Sequence, residues 1–167
     1  MPNWFSASSP SDSVVITGAS SGIGAACALA LDTLGYRVFA GVRNPADGER
    51  LQQQAGPRLM PIRLDVTDPA SISAASHTVA AMVGDRGLAG LVNNAGIGVA
   101  GPIELLPLAD WRRQFEVNVF GLIAVTQTFL PLIRTGRGRI INMGSIAGRA
   151  SMPFMAPYAA SKHALEA

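Results

Sequence analysis

Thr17-Gly18-Ala19-Ser20-Ser21-Gly22-Ile23-Gly24 is the stretch that decides how this sequence folds. Its first residue closes the β-branched run over residues 14–17, which predicts a buried strand, and a helix-like segment follows to residue 34. Glycines here leave the backbone bare, so that a phosphate can approach the N–H groups at the start of the helix. We therefore predict phosphate binding at this turn. The alternative is a tight turn that needs its glycines for backbone geometry alone.

Short apolar runs alternate with helix-like segments along the rest of the chain. The predicted strands cover residues 14–17, 37–42, 59–64, 89–93 and 139–143, and the predicted helices cover 22–34, 47–54, 69–83, 108–133 and a last segment from about 157. The strands are continuous apolar runs, as burial on both faces of a sheet requires. We predict an α/β fold, a doubly wound parallel sheet of the Rossmann type. It would form one domain over residues 13–167, behind a flexible leader over residues 1–12.

The composition excludes several classes of protein. Of the 167 residues, 49% are apolar and 14% are charged, which suits one well-buried domain and not a disordered segment. A net charge of +2 gives no indication of a nucleic-acid partner. The single cysteine, Cys27, fits a reducing compartment, and we see neither a signal peptide nor an apolar run as long as a membrane span. We expect a cytoplasmic protein with no membrane partner.

The end of the second predicted strand bears on which dinucleotide would bind. An acidic residue there would bind the ribose 2′-hydroxyl and favour NAD. This chain has Val42 and Arg43 instead, so no carboxylate repels a 2′-phosphate and one guanidinium can bind it. We therefore expect NADP as the cofactor, with NAD less favoured. The alternative for Arg43 is an ordinary surface arginine.

Tyr158 and Lys162 stand four residues apart on the last predicted helix. Residues with this spacing are neighbours on a helix surface, and a nearby cation favours the ionised form of a phenol. Such a pair can supply a general acid for a carbonyl that is being reduced, or a base for an alcohol that is being oxidised. The same spacing also arises by chance in a surface pair. The two histidines, His77 and His163, have no ligand spacing, so we predict no metal site.

The order of the motifs resembles that of the short-chain dehydrogenase/reductase family. The matching features are T-G-x-x-x-G-x-G at residues 17–24, Asn93-Asn94-Ala95-Gly96 after the fourth strand, Ser145 after the fifth strand, and Tyr158 with Lys162. The resemblance covers the chain from about Ser13 to its last residue. It implies an NAD(P)(H)-dependent oxidoreductase that interconverts a carbonyl and a secondary alcohol by hydride transfer.

The resemblance also implies roles for particular residues. Tyr158 would be the general acid/base, and Lys162 would bind the nicotinamide ribose and favour ionisation of the phenol. Ser145 would hold the substrate oxygen, and Asn118 would position a water in a proton relay. The residues that would contact the dinucleotide are Gly18, Ser20, Ser21, Gly22, Ile23, Gly24, Arg43, Asp65, Val66, Asn94, Ala95, Gly96, Tyr158 and Lys162.

The chain ends sooner than the resemblance leads one to expect. Members of the family continue through a sixth strand, so we expect a Rossmann fold that is incomplete at its C-terminal side, with the fifth strand at the sheet edge. Two alternatives to an active enzyme therefore stay open, an inactive truncated fragment and a non-catalytic dinucleotide-binding module. The resemblance further implies a small-molecule carbonyl or alcohol substrate, and homo-oligomers among the full-length relatives.

Overall fold

The computed structural model describes residues 12–167, and that part of the chain contains five strands and six α-helices. The strands are β1 Ser13–Ile16, β2 Arg37–Val42, β3 Leu59–Arg63, β4 Gly90–Asn93 and β5 Arg139–Asn142. The helices are α1 Gly22–Thr33, α2 Pro45–Gln52, α3 Pro69–Val83, α4 Leu108–Phe115, α5 Leu122–Thr135 and α6 Ala156–Glu166. Apart from Asp12, the predicted leader lies outside the described residues.

The five strands form one parallel sheet in the order β3-β2-β1-β4-β5. Strands β2 and β3 lie in turn on one side of β1, and β4 and β5 lie in turn on its other side, so the order of the strands reverses at β1. This reversal opens a crevice at the carboxyl ends of β1 and β4, where open α/β sheets bind their ligands. The predicted doubly wound fold is confirmed. As expected, β5 is an edge strand, with Ile140 and Ile141 37% and 51% exposed.

Two apolar layers cover the sheet, because successive side chains of a strand point to opposite faces. One layer packs against α3 and α5 and includes Val15, Phe39, Leu91 and Phe129. The other packs against α1 and α2 and includes Val14, Ile16, Val38, Ala28 and Leu51. Truncation of a fully buried side chain such as Phe129 to alanine costs about 3–5 kcal/mol. These layers hold the carboxyl ends of the strands in place.

The starts of two helices show how well capping could be read from the sequence. Helix α3 begins as predicted, with Pro69 in its first turn and the Asp68 side chain accepting a hydrogen bond from the Ala70 N–H at 2.9 Å. Helix α2 begins two residues before its predicted start at Asp47. Its N-cap is Asn44, whose Oδ1 accepts from the Ala46 N–H at 3.1 Å. The Asn-Pro pair was the signal that the prediction missed.

The longest predicted helix runs without a break through residues 108–135, but its middle is irregular. Residues 116–121 form a π-helical segment between α4 and α5. Contrary to the expectation from the sequence, this helix of 28 residues is long and apolar enough to cross a membrane. That is weak evidence for a membrane span, because core helices of soluble proteins can be equally long and apolar. Here Val125, Phe129 and Ile133 pack into the core.

Candidate active site

The glycine-rich loop after β1 needs its glycines for two physical reasons. Gly18 and Gly22 have φ angles of +65° and +56°, in the left-handed region that side chains rarely adopt. At Gly24 the reason is space, because a Cβ there would overlap the carbonyl oxygen of Gly18 and the Nδ2 atom of Asn94. The N–H groups at the start of α1 therefore face a bare backbone cradle, which suits a phosphate group.

The loops after β1 and β4 are joined by a set of hydrogen bonds. Thr17 Oγ1 accepts from the backbone N–H groups of Asn94 and Ala95, both at 3.0 Å. In return, Asn94 Nδ2 donates to the carbonyl oxygens of Thr17 at 2.9 Å and Gly18 at 3.0 Å. Thr17 was not among the predicted site residues, although it opens the glycine motif. The set fixes the two loops that frame the crevice.

A cleft of about 330 Å³ lies at the carboxyl ends of the strands, within the range of ligand pockets. It brings together all but three of the residues predicted to contact the dinucleotide, since Gly22, Tyr158 and Lys162 do not line it. The predicted residues that line it are Gly18, Ser20, Ser21, Ile23, Gly24, Arg43, Asp65, Val66, Asn94, Ala95 and Gly96. Gly41, Leu64, Ile97 and Val117 also line it and were not predicted.

The end of β2 presents only one of its two residues to the cleft. Arg43 is exposed and lines the cleft, whereas Val42 is 3% exposed and is absent from the lining. A Cβ on Gly48 of α2 would lie 3.3 Å from Val42 Cγ2, so the valine side chain packs under that helix. Of Val42 and Arg43, only Arg43 is placed to contact a ligand in the cleft.

Asp65 lies in the same part of the cleft and is held in its ionised form. Partial burial on its own would raise the pKa of Asp65, but other contacts outweigh it and the pKa is lowered. Its Oδ1 accepts hydrogen bonds from the Thr67 N–H at 2.9 Å and the Thr67 hydroxyl at 2.7 Å. The positive charges of Arg43 and Arg63 add to this effect. The cleft therefore offers one carboxylate acceptor next to one guanidinium.

A second pocket, of about 350 Å³, adjoins the cleft and contains the tyrosine and the lysine. Ile23, Asn94, Gly96 and Ile97 line both spaces. The remaining lining residues of the second pocket are Gly98, Met143, Gly144, Met155, Tyr158 and Lys162. The two spaces are thus neighbours at one edge of the sheet. Neither Ser145 nor Asn118 is part of either lining.

Lys162 is buried beside Tyr158 on α6. Its Nζ atom lies 5.9 Å from the centre of the Tyr158 ring and donates a hydrogen bond to the Met143 carbonyl oxygen at 2.6 Å. Burial lowers the pKa of Lys162, because the charged ammonium loses hydration. An ammonium has three donors, so those not used by Met143 remain for a ligand hydroxyl.

The side chain of Ser145 serves a local turn. It caps the 3₁₀ turn over residues 146–148, and its Oγ accepts from the Ala147 N–H at 3.2 Å. The next residues of this segment are tied to the end of α6, where Arg149 Nε donates to Glu166 Oε2 at 2.9 Å. Ser145 therefore follows β5 near the second pocket without lining it.

Asn118 lies in the π-helical segment, 2% exposed, and links three parts of the site. Its Oδ1 accepts from the Ile97 N–H at 2.9 Å, and its Nδ2 donates to the Ile97 carbonyl oxygen at 3.0 Å. The same Nδ2 donates to Ser161 Oγ at 3.1 Å, and Ser161 Oγ donates to the Tyr158 carbonyl oxygen at 2.7 Å. The amide is thus satisfied although it is buried. Ser161 was not predicted as part of this network.

Comparison with known proteins places this arrangement among dehydrogenases. A sequence profile described as short chain dehydrogenase matches residues 12–167. The 17-beta-hydroxysteroid dehydrogenase type 2 of Homo sapiens is 43% identical over 155 residues, which cover 91% of this chain and 40% of that protein. Retinol dehydrogenase 5 of Mus musculus is also 43% identical over 155 residues, covering 92% of this chain and 48% of that protein. The chain spans less than half the length of these relatives.

Solved structures show the same fold. A short-chain dehydrogenase from Streptomyces avermitilis superposes with a TM-score of 0.85 at 35% identity, covering 93% of this chain and 58% of that chain. A gluconate 5-dehydrogenase from Burkholderia cenocepacia, in complex with NADP and tartrate, gives a TM-score of 0.82 at 32% identity, covering 92% and 61%. Because the profile match spans the whole described chain and the relatives share both sequence and fold, this chain belongs to the short-chain dehydrogenase family.

Proposed function

We propose that this chain carries the cofactor cleft and the acid/base pair of an NADP-preferring oxidoreductase that interconverts a carbonyl and a secondary alcohol. One observation carries the proposal: the glycine-lined cleft and the Tyr158 pocket share four lining residues. A dinucleotide with its phosphates at the start of α1 can therefore extend toward the phenol. The bare backbone at Gly24 and the acceptor and donor at Asp65 and Arg43 fit such a ligand.

When bound, the nicotinamide cofactor would supply the hydride for reduction in its reduced form and accept the hydride from the alcohol in its oxidised form. Tyr158 donates its phenolic proton to the carbonyl oxygen during reduction, and takes the proton back from the alcohol during oxidation. Lys162 stabilises the phenolate through its positive charge, and its free N–H groups bind a ribose hydroxyl. Asn118 supports α6 through Ser161 and so helps to hold the phenol in place.

The preference for NADP rests on Arg43. Its guanidinium is exposed, lines the cleft, and can bind a 2′-phosphate through two parallel hydrogen bonds. The neighbouring Asp65 is ionised and would accept a hydrogen bond from a neutral ribose or base. The same part of the cleft could therefore also bind NAD. We therefore expect both dinucleotides to bind, with NADP binding the tighter of the two.

For the substrate we propose a lipophilic ketone or secondary alcohol. The two relatives compared above are named for hydroxysteroid and retinol, both of which are lipophilic. Several large apolar side chains lie at or near the Tyr158 pocket of this chain. Met155 lines it, and the exposed Met152 and Phe154 precede Met155 on the same loop.

A panel of ketones with NADPH, assayed on the purified chain, tests the proposal. Oxidation of NADPH that depends on both the ketone and Tyr158 would support it. The competing candidate, a dinucleotide-binding module or inactive fragment, is favoured by the short coverage of the relatives and by the exposed edge of β5. Saturable NADPH binding with no turnover on any ketone would favour that candidate.

We also propose that the protein works in the cytoplasm and without a membrane partner. The single cysteine, half-buried Cys27, supports a reducing compartment. The long apolar helix over residues 108–135 is the feature that argues the other way. Extraction of cell membranes with alkaline carbonate decides between the two: an integral protein stays with the pellet, and a cytoplasmic one is found in the first supernatant.

We further propose that the full-length relatives form homo-oligomers, and that this chain retains part of the surface through which they assemble. Phe120 and Ile123 of the long helix are 55% and 44% exposed, and such surface is often covered in an assembly. Sedimentation equilibrium of the purified protein measures the assembly state directly. A monomer at all concentrations would contradict assembly of this chain.

A further inference from the structure

Gln114 of α4 is a fully buried polar side chain to which no role has yet been given. It is 0% exposed, yet both ends of its carboxamide are satisfied. Its Oε1 accepts from the Val99 N–H at 2.7 Å, and its Nε2 donates to the Ile97 carbonyl oxygen at 2.7 Å. Burial of an amide is tolerated only when such partners exist. The loop over residues 97–99 thus supplies the hydrogen-bond partners that allow a glutamine to be buried at position 114.

The two partners of Gln114 flank one residue, Gly98. The Ile97 carbonyl belongs to the peptide group before Gly98, and the Val99 N–H belongs to the peptide group after it. Gln114 therefore fixes the planes of both peptide groups at once. Gly98 itself is exposed between the half-buried Ile97 and the buried Val99, and it lines the Tyr158 pocket.

Gly98 is in turn the point at which this loop meets Tyr158. A Cβ built on Gly98 would lie 3.8 Å from Tyr158 Cδ2, the nearest atom among the described residues apart from the two chain neighbours of Gly98. One hydrogen on the Gly98 Cα thus faces the Tyr158 ring. Further along, the loop is held again, because the Gly101 N–H donates to the Phe154 carbonyl oxygen at 2.7 Å.

Asn118, one helical turn after Gln114, does not duplicate this function. Its Nδ2 shares the Ile97 carbonyl oxygen, so that both lone pairs of that oxygen are occupied. Asn118 accepts from the Ile97 N–H, which lies on the far side of Ile97 from Gly98. Within residues 12–167, only Gln114 accepts a hydrogen bond from the Val99 N–H. Without it, Asn118 would hold the loop only before Gly98.

We propose that Gln114 is a positioning residue, which holds Gly98 against the Tyr158 ring and so sets the space left for a substrate carbonyl beside the phenol. This inference rests on the proposed function. Displacement of a reacting group by about 1 Å can cost about a hundredfold in rate. We therefore expect Gln114→Leu to lower kcat by one to two orders of magnitude, that is by about 10- to 100-fold, with the Kd for NADPH unchanged.

The placement of Gly98 can be measured without any reaction. In the NMR spectrum of the full chain we expect a nuclear Overhauser effect between a Gly98 Hα and the Tyr158 ring protons. Gln114→Leu should abolish it while the cross-peaks of the β-sheet persist. Gln127→Leu, the same change at an exposed position of α5, is the matched control and should keep it. Persistence of the effect in folded Gln114→Leu would overturn the proposal.

Gln114→Glu gives a second test if the leucine variant does not fold. A protonated carboxyl can accept from Val99 and donate to Ile97, as the amide does, whereas a carboxylate cannot donate. The Gly98–Tyr158 effect should therefore be strong at low pH and fade as pH rises toward 9, with Gln127→Glu unchanged. An effect of constant strength in folded Gln114→Glu, over a pH range in which the carboxyl carbon signal of the introduced side chain shows that it ionises, would contradict the proposal. Absence of turnover in the unmodified chain would count against the proposed function alone.

Discussion

Thr17 Oγ1 lies 3.0 Å from the backbone nitrogen of Asn94 and accepts its hydrogen bond, although 77 residues separate the two in sequence. A second bond, from the Ala95 N–H at 3.0 Å, ends on the same oxygen. One hydroxyl thus organises the loops that follow β1 and β4, on the two sides of the crevice. These two hydrogen bonds explain why a residue with a short hydroxyl side chain is the first residue of the glycine motif.

Replacing Thr17 tests this relationship. Thr17→Val keeps the shape of the side chain but leaves the half-buried Ala95 N–H without its acceptor, and leaves the Asn94 N–H only the Val92 carbonyl oxygen at 3.1 Å. A buried donor without a partner costs about 1–3 kcal/mol, so we predict a fall of about 1–2 kcal/mol in the free energy of unfolding, measured by urea denaturation. Thr17→Ser retains the acceptor and should lose less than half as much. Equal losses of unfolding free energy in the two variants would show that the hydroxyl group does not stabilise the fold.

Arg43 is expected to discriminate between the two nicotinamide cofactors. Removal of one charged partner of a phosphate costs about 1.5–3 kcal/mol, so Arg43→Ala should weaken NADPH binding by about ten- to a hundredfold. Binding of NADH should not change, because it lacks the 2′-phosphate. Arg63→Ala is the matched control, since Arg63 also acts on Asp65 but does not line the cleft. A parallel loss for both cofactors would contradict the assignment.

Lys162 should make stability depend on pH in the alkaline range. Burial lowers its pKa in the folded state below the ordinary 10.5, so between these two values the unfolded chain binds more protons than the folded one. The free energy of unfolding therefore gains a contribution that grows as pH rises through this window. We predict that the native protein gains stability relative to Lys162→Met as pH rises toward 10.5, measured by urea denaturation. A difference that is constant, or that changes in the other direction, would count against burial of the charge.

Tyr158 is expected to matter for the chemical step and not for cofactor affinity. General acid catalysis contributes about 10²- to 10⁴-fold to rates, so Tyr158→Phe should reduce ketone turnover by about that factor. The ring is retained, and the fold and the Kd for NADPH should be unchanged. Single-turnover kinetics with saturating NADPH provide the measurement. Turnover at an unchanged rate in Tyr158→Phe would remove the phenol from the mechanism.

Much of the fold was predictable from the sequence because its signals are local. The β-branched run before Gly18, the Asp68-Pro69 helix start and the alternation of strand and helix each depend on a few adjacent residues. The residues that line the cleft were predicted in two ways. The glycine loop and Arg43 follow from the residues themselves, whereas Asp65 and Asn94 were implied by the resemblance to the short-chain dehydrogenase/reductase family.

What the sequence left open depends on contacts between distant segments. Nothing local indicates that Val42 turns under α2, or that Ser145 caps a turn instead of lining the pocket. Gln114 was missed because a polar residue in an amphipathic helix reads as surface until its partners at residues 97 and 99 are known. Asn118 was singled out through the family resemblance and as a polar residue within an apolar stretch, and neither signal applies to Gln114.

Titration of the purified chain with NADPH and with NADH, followed by nicotinamide fluorescence, tests the central claim most directly. The claim is that the crevice framed by the loops after β1 and β4 holds a dinucleotide. We predict saturable binding of both cofactors, with the lower Kd for NADPH, and loss of that difference in Arg43→Ala. Absence of saturable binding for either cofactor by a correctly folded chain would contradict the claim.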